Sequence, residues 1–256
     1  MKASTVGTLD RINRDFYRSN AAEFSRTRKR PWPGWKILFE RVESSSRERL
    51  DPARVSILDL GCGNGRVLPT LSEAFGDRFS YLGLDSSLPL LVEGGRTSAA
   101  GVEAARFGAA NLGAELRAVR GDRRFDLILA FGLLHHVPSH ERRAGLLGNA
   151  QGRLRPGGLL AVSFWQFGSH ERFRRRFVPW RELPTELGEV DRSDLEPGDH
   201  LLAWGDSGAL RYCHYTSPEE AETLVRASGL ASAARFHADG ETGDLNLYYL
   251  LGPAGC

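Results

Sequence analysis

Two stretches of this chain set ligand-holding residue types at usable spacings. The first is Ile57-Leu58-Asp59-Leu60-Gly61-Cys62-Gly63-Asn64-Gly65, an apolar run that ends in three glycines at alternate positions. Lacking a β-carbon, glycine lets the backbone turn sharply and lets a ligand lie close against it. The second is Gly83-Leu84-Asp85-Ser86, whose carboxylate lies twenty residues beyond Gly65. A carboxylate in that place can accept hydrogen bonds from both hydroxyls of a ribose. Loop and acid together describe a cradle for a nucleoside-bearing ligand. A dinucleotide fingerprint would require glycine three residues after Gly63, where Arg66 stands, so hydride transfer is disfavoured. His135 and His136 can hydrogen-bond a substrate, or act as base toward a hydroxyl or amine. No other acid/base pair is evident.

The elements that must position these residues follow from periodicity. Short apolar runs at Val55–Leu60, Phe79–Leu84, Val102–Phe107, Phe125–Phe131 and Gly158–Trp165 read as strands. Helical stretches between them, near 66–75, 88–94 and 141–154, make the sheet parallel, with right-handed crossovers. Ser217-Pro218 opens a further helix as N-cap and first residue. Runs at Ser232–Ala238 and Asp244–Leu251, joined by the turn-rich Asp239–Gly243, predict an antiparallel hairpin. Residues 1–50 read as a helical cap broken by Pro31-Trp32-Pro33-Gly34, and 51–256 as the main domain. An Arg-, Pro- and acid-rich insertion at about 167–210 is expected over the sheet's functional edge.

In order and context these motifs resemble those of class I S-adenosylmethionine-dependent methyltransferases. That resemblance implies a Rossmann-like, doubly wound, mostly parallel seven-stranded α/β sheet ending in an antiparallel hairpin. It implies a methyl-donor site made by Asp59, Gly61, Cys62, Gly63, Asn64, Gly65, Asp85, Ser86 and Phe131. Ala110, Asn111 and Leu112 fall where the family contacts adenine, Asn111 standing in for an acid. The flanks are similar to the tRNA wobble-uridine carboxymethyl methyltransferases. The likeness rests on Phe24-Ser25-Arg26-Thr27-Arg28-Lys29-Arg30-Pro31-Trp32-Pro33, on Leu134-His135-His136, on Phe177-Val178-Pro179-Trp180 and on Arg211-Tyr212-Cys213-His214. The chain departs from that family in its short connection from Trp180 to Arg211 and in Asp244-Leu245-Asn246-Leu247. The resemblance implies that Arg28, helped by Arg211 and Tyr212, orients an acceptor or the donor's carboxylate, and it raises the prospect of a small partner subunit. Trp32, Trp35 and Trp180 could stack an unpaired base, or each could equally pack in the core or the lid.

Three acceptor readings stand side by side: a modified uridine in tRNA, a small metabolite, or no acceptor at all in a non-catalytic nucleoside-binding subunit. Composition narrows little else. Cys62, Cys213 and Cys256 lie too far apart for a disulfide framework or a zinc motif, so no metal is expected. The start of the chain is polar and no run is as long as a membrane span, so a cytoplasmic protein is expected. The net charge of +2 is small, but Arg26, Arg28, Lys29 and Arg30 form one basic cluster and Arg172, Arg174, Arg175 and Arg176 another. A nucleic acid could use both.

Overall fold

Val55–Leu60 (β1) and Phe125–Ala130 (β4) are buried at every position. Strands covered on both faces need such continuous apolar runs, and the chain supplies them. A computed structural model describes residues 1–28, 30–46, 54–99, 105–109, 122–205 and 207–253. Ala110, Asn111 and Leu112 lie outside the described residues, as do Lys29 and Cys256.

Phe79–Asp85 (β2), Ala105–Ala109 (β3) and Leu154–Trp165 (β5) join β1 and β4 in parallel. Ala231–Ala238 (β9) and Asn246–Gly252 (β10) complete the sheet as an antiparallel pair, in the order β3-β2-β1-β4-β5-β10-β9. The expected hairpin is present. Helices cover both faces. Pro33–Ser46 (α2) and Leu68–Phe75 (α3) pack Leu38, Phe39, Leu68 and Leu71 on one face, against Ile57, Leu127 and Leu129. His140–Gln151 (α5) and Pro218–Ala227 (α7) pack Leu146, Leu147 and Leu224 on the other. The helix after β2 is Leu88–Ala99 (α4). Ser217 caps α7 as expected: its hydroxyl accepts the Glu220 N–H.

The insertion is more ordered than its composition suggests. After the short helix Glu171–Arg174 (α6), Phe177–Val178 (β6), Asp199–Trp204 (β7) and Ala209–His214 (β8) form a second, antiparallel sheet of three strands. This sheet therefore runs past the expected limit near residue 210. The long N-terminal helix Ala3–Thr27 (α1) lies against it, Leu9 and Ile12 packing on Leu201 and Tyr212. Cap and insertion thus share one small core, which sits beside the C-terminal ends of the main strands.

Candidate active site

Where β1 ends, the chain turns through three glycines in the left-handed region: Gly61 at φ +72°, Gly63 at +55° and Gly65 at +68°. Any side chain would be strained there, which explains the alternate spacing. The turn is tied to β2, because Gly61 and Cys62 both donate to the Leu84 carbonyl at 2.8 and 3.1 Å. Asp85 faces it directly. One of its oxygens accepts the Gly63 N–H and the other the Ser87 N–H, each at 2.8 Å. Each oxygen keeps a lone pair for a ribose hydroxyl. Asp59 lies beneath, with Tyr81 donating to it at 2.7 Å, and burial pushes its carboxyl up to about 7. The sequence motif is realised as a hydrogen-bonded turn facing Asp85.

Loop and cap enclose a cleft of about 1380 Å³. Asp59, Gly61, Cys62, Gly63, Asn64, Asp85, Ser86 and Phe131 line it, with Arg28, His135, His136 and Arg211 across from them. After β4, Gly132 turns at φ +62°, and a β-carbon there would press on Trp32 at 3.3 Å. Its N–H is held by Ser163 at 3.0 Å. His136 is fully engaged: its Nδ1 faces the Tyr212 carbonyl at 3.2 Å and its Nε2 the Tyr17 hydroxyl at 2.8 Å. Nδ1 must therefore donate, and Nε2 accepts from Tyr17. Burial and the nearby Arg211 cation push this imidazole down to about 3. His135, edge-on to Trp165, is held well below its usual range by burial, and its buried Nδ1 has no partner among the described residues. Both rings are thus neutral at physiological pH. The Cys213 thiol lies close by, the three groups falling within 4.8 Å of one another, but both His136 nitrogens are already engaged.

Arginines dominate the cleft's charge. Arg211 is only 5% exposed, its guanidinium set over Trp165 at 5.2 Å and Phe16 at 5.6 Å. Arg28 lies over Phe24 at 5.2 Å. Burial and Arg211 both lower its pKa, since two cations share one low-dielectric wall. Among the described residues, neither arginine is paired with a carboxylate. Arg26, Arg30, Arg172 and Arg176 stand round the same cleft, so clusters some 140 residues apart in sequence meet at one mouth.

One expectation needs correction, and one open alternative is decided. Tyr212 does not face the cleft: successive residues on a strand point to opposite sides, so with Arg211 inward Tyr212 turns into the core. It is fully buried, and its hydroxyl donates to Asp199 at 2.7 Å. Trp180 packs in the core shared by cap and insertion, donating to the Asp199 carbonyl at 3.2 Å, and Trp35 is buried in a stack on Phe131. Trp32 does line the cleft, joined by Trp165 and Trp204, which sequence reasoning missed. Asn13 and Tyr17 were missed as well. Their signal was available, since Asp10, Asn13, Arg14, Tyr17 and Phe24 follow one another at helical spacing on a single face of α1.

Behind Tyr212 lies a buried ionic network. His214 is 2.8 Å from Asp199 and 2.9 Å from Glu220, and fully buried Arg143 donates to Glu196 at 2.6 Å and Glu220 at 2.7 Å. Burial alone would lower the His214 imidazole, but the two carboxylates outweigh it and raise its pKa above 6.5. Burial would raise Glu220, yet His214 and Arg143 bring it down to about 2.

Residues 58–160 match the model of a methyltransferase domain family. A chain of Encephalitozoon cuniculi described as a methyltransferase is 28% identical over 87% of this chain and 89% of its own length. Trans-aconitate 2-methyltransferase of Deinococcus radiodurans is 34% identical over 53% of this chain, a match covering 48% of that protein. The tRNA (carboxymethyluridine(34)-5-O)-methyltransferase of Saccharomyces cerevisiae is 26% identical over 71% of this chain and 60% of its own length. In fold, magnesium protoporphyrin IX methyltransferase from Synechocystis, solved with bound S-adenosylmethionine, superposes with a TM-score of 0.59. That likeness is at 12% identity and covers 94% of this chain and 95% of the other.

Proposed function

We propose that this chain, which belongs with the S-adenosylmethionine-dependent methyltransferases of class I fold, methylates a carboxylate, and that the carboxylate is carried on a modified wobble uridine in tRNA. One observation carries the reading: Arg28 and Arg211 face the cleft as cations without an acid partner among the described residues. An arginine fork is suited to hold a carboxylate in line with a methyl group. The attacking oxygen forms its bond to the methyl carbon as the carbon–sulfur bond breaks, and sulfur keeps the electron pair. Carboxylate and sulfonium charges vanish together and no proton moves. A carboxylate is ionised at neutral pH, so no general base is required. The two neutral histidines, too weak as bases to activate a hydroxyl, accord with that chemistry.

The donor's adenosine would rest on the glycine turn with its ribose on Asp85. Arg26, Arg30, Arg172 and Arg176 at the mouth would meet phosphates, and Trp32 would stack a base turned out of its strand. We place this activity in the cytoplasm, where tRNA is found; among the described residues no helix is long and apolar enough to cross a membrane. A second reading has its own support, since the Deinococcus relative is named for a small acid. Both readings share a carboxylate acceptor.

Incubation with methyl-labelled S-adenosylmethionine, total tRNA and a mixture of small acids tests this. Label should enter tRNA and leave it as methanol under mild alkali, as esters do. Alkali-stable label in tRNA would exclude a carboxylate acceptor. Label confined to the small acids would select the second reading.

A further inference from the structure

A third arginine, Arg66, also lines the cleft without a carboxylate partner among the described residues. It follows Gly65 directly, so the turn that cradles the nucleoside also places this side chain. Its guanidinium lies over Trp32 at 4.6 Å and Trp35 at 5.0 Å, and Trp35 in turn stacks on Phe131 with centroids 5.7 Å apart. A guanidinium stacked by its face keeps its in-plane N–H groups available for a planar anion. Arg211, on β8, lies over Trp165 and Phe16, and Arg28, at the end of α1, lies over Phe24. Burial and then the Arg28 cation lower the Arg66 pKa against the pull of Tyr248 and Asp239, and burial and Arg211 lower that of Arg28. Arg28 is thus coupled to each of the other two arginines.

Two anions meet this set: the α-carboxylate of the methyl donor and the acceptor. The donor's ribose end is fixed by Asp85 across the glycine turn. Of the three arginines, only Arg66 is carried by that same turn. We propose that Arg66 holds the α-carboxylate of bound S-adenosylmethionine, leaving Arg28 and Arg211 for the acceptor. Cations and anions then alternate across the cleft, which removes the repulsion that three unpaired arginines impose on one another. The assignment of Arg66 rests on the donor alone and not on the identity of the acceptor.

Calorimetry with S-adenosylmethionine and its decarboxylated form, which keeps adenosine, sulfonium and amine, reads this contact directly. The wild-type chain should favour the intact donor by about tenfold or more, as expected for a charge-assisted contact. Arg66→Met, which keeps an apolar stem between the indoles, should reduce that preference to about twofold or less. Arg211→Met should leave it at the wild-type value. Full preference in Arg66→Met, no preference in the wild type, or loss of preference in Arg211→Met would each overturn the proposal. Should Met at position 66 unfold the chain, Arg66→Gln is read by the same ratio. Alkali-stable methyl label in tRNA would refute the carboxylate acceptor and leave this ratio standing, so the two failures are distinguishable.

Discussion

Arg211 and Tyr212 are neighbours in sequence with opposite fates, and they give the sharpest contrast available to mutation. Arg211→Met should lower kcat/KM for the acceptor by a factor of about 100, the scale of one lost charge-assisted contact of ~3 kcal/mol. Affinity for S-adenosylmethionine should stay near the wild-type value. Tyr212→Phe should leave kcat/KM within about twofold but cost ~1–3 kcal/mol of stability in chemical denaturation, because the Asp199 carboxylate loses a buried donor. A large kinetic loss in Tyr212→Phe would return that residue to the site. The pH dependence carries a matching expectation. With no base to titrate, kcat/KM should level off above the acceptor's own pKa, and in Asp59→Asn, which removes the carboxyl that burial pushes up to about 7, it should stay flat from about pH 5 to 8. A limb near pH 6.5 that persists in Asp59→Asn would identify a histidine as base and contradict the account. The glycine turn and Asp85 were legible in the sequence because left-handed backbone admits little but glycine. Tyr212 misled because a likeness to a known run of residues does not say which of two neighbours faces inward.

At the scale of elements, β8, α5 and α7 are joined through the network of His214, Arg143, Glu196, Glu220 and Asp199. His214 has a folded pKa raised above its unfolded value of 6.5, so its contribution to stability is complete below pH 6.5 and is lost as pH rises through the folded pKa. Glu220 is depressed to about 2 from 4.5, so its contribution is present above pH 4.5 and is lost as pH falls toward 2. The network should therefore stabilise the fold most between these limits. Denaturant unfolding from pH 5 to 8 should show stability declining above pH 6.5, and His214→Gln should flatten that decline. An equal slope in both proteins would assign the pH dependence elsewhere. Arg143→Met would leave the part-buried Glu196 and Glu220 without their cation, at a cost of about 1–3 kcal/mol. None of this could be read from the chain alone. The acids of the insertion resemble a solvated surface until Arg143, on α5, is brought beneath them.

The central strands were legible because buried parallel strands demand mostly apolar runs, and β1, β2, β4 and the later part of β5 supply them. The second sheet was not. Phe177–Val178 is two residues long, and Asp199–Trp204 is hidden among prolines, glycines and charges. Its apolar face has meaning only once α1, some 190 residues earlier, lies across it. That long-range packing brings the two arginine clusters to one mouth and makes the cap and insertion a single wall. Retention of tRNA should accordingly weaken steeply with salt, and the double variant Arg172→Ala with Arg176→Ala should reduce the salt slope by about 2. Salt-insensitive activity would speak against a polyanionic acceptor. The most direct measurement is mass spectrometry of nucleosides digested from tRNA after incubation with the purified chain and S-adenosylmethionine. A uridine bearing a new methyl ester is the expected product. A methyl group on a ring nitrogen or a ribose oxygen would contradict the carboxylate chemistry on which the account depends.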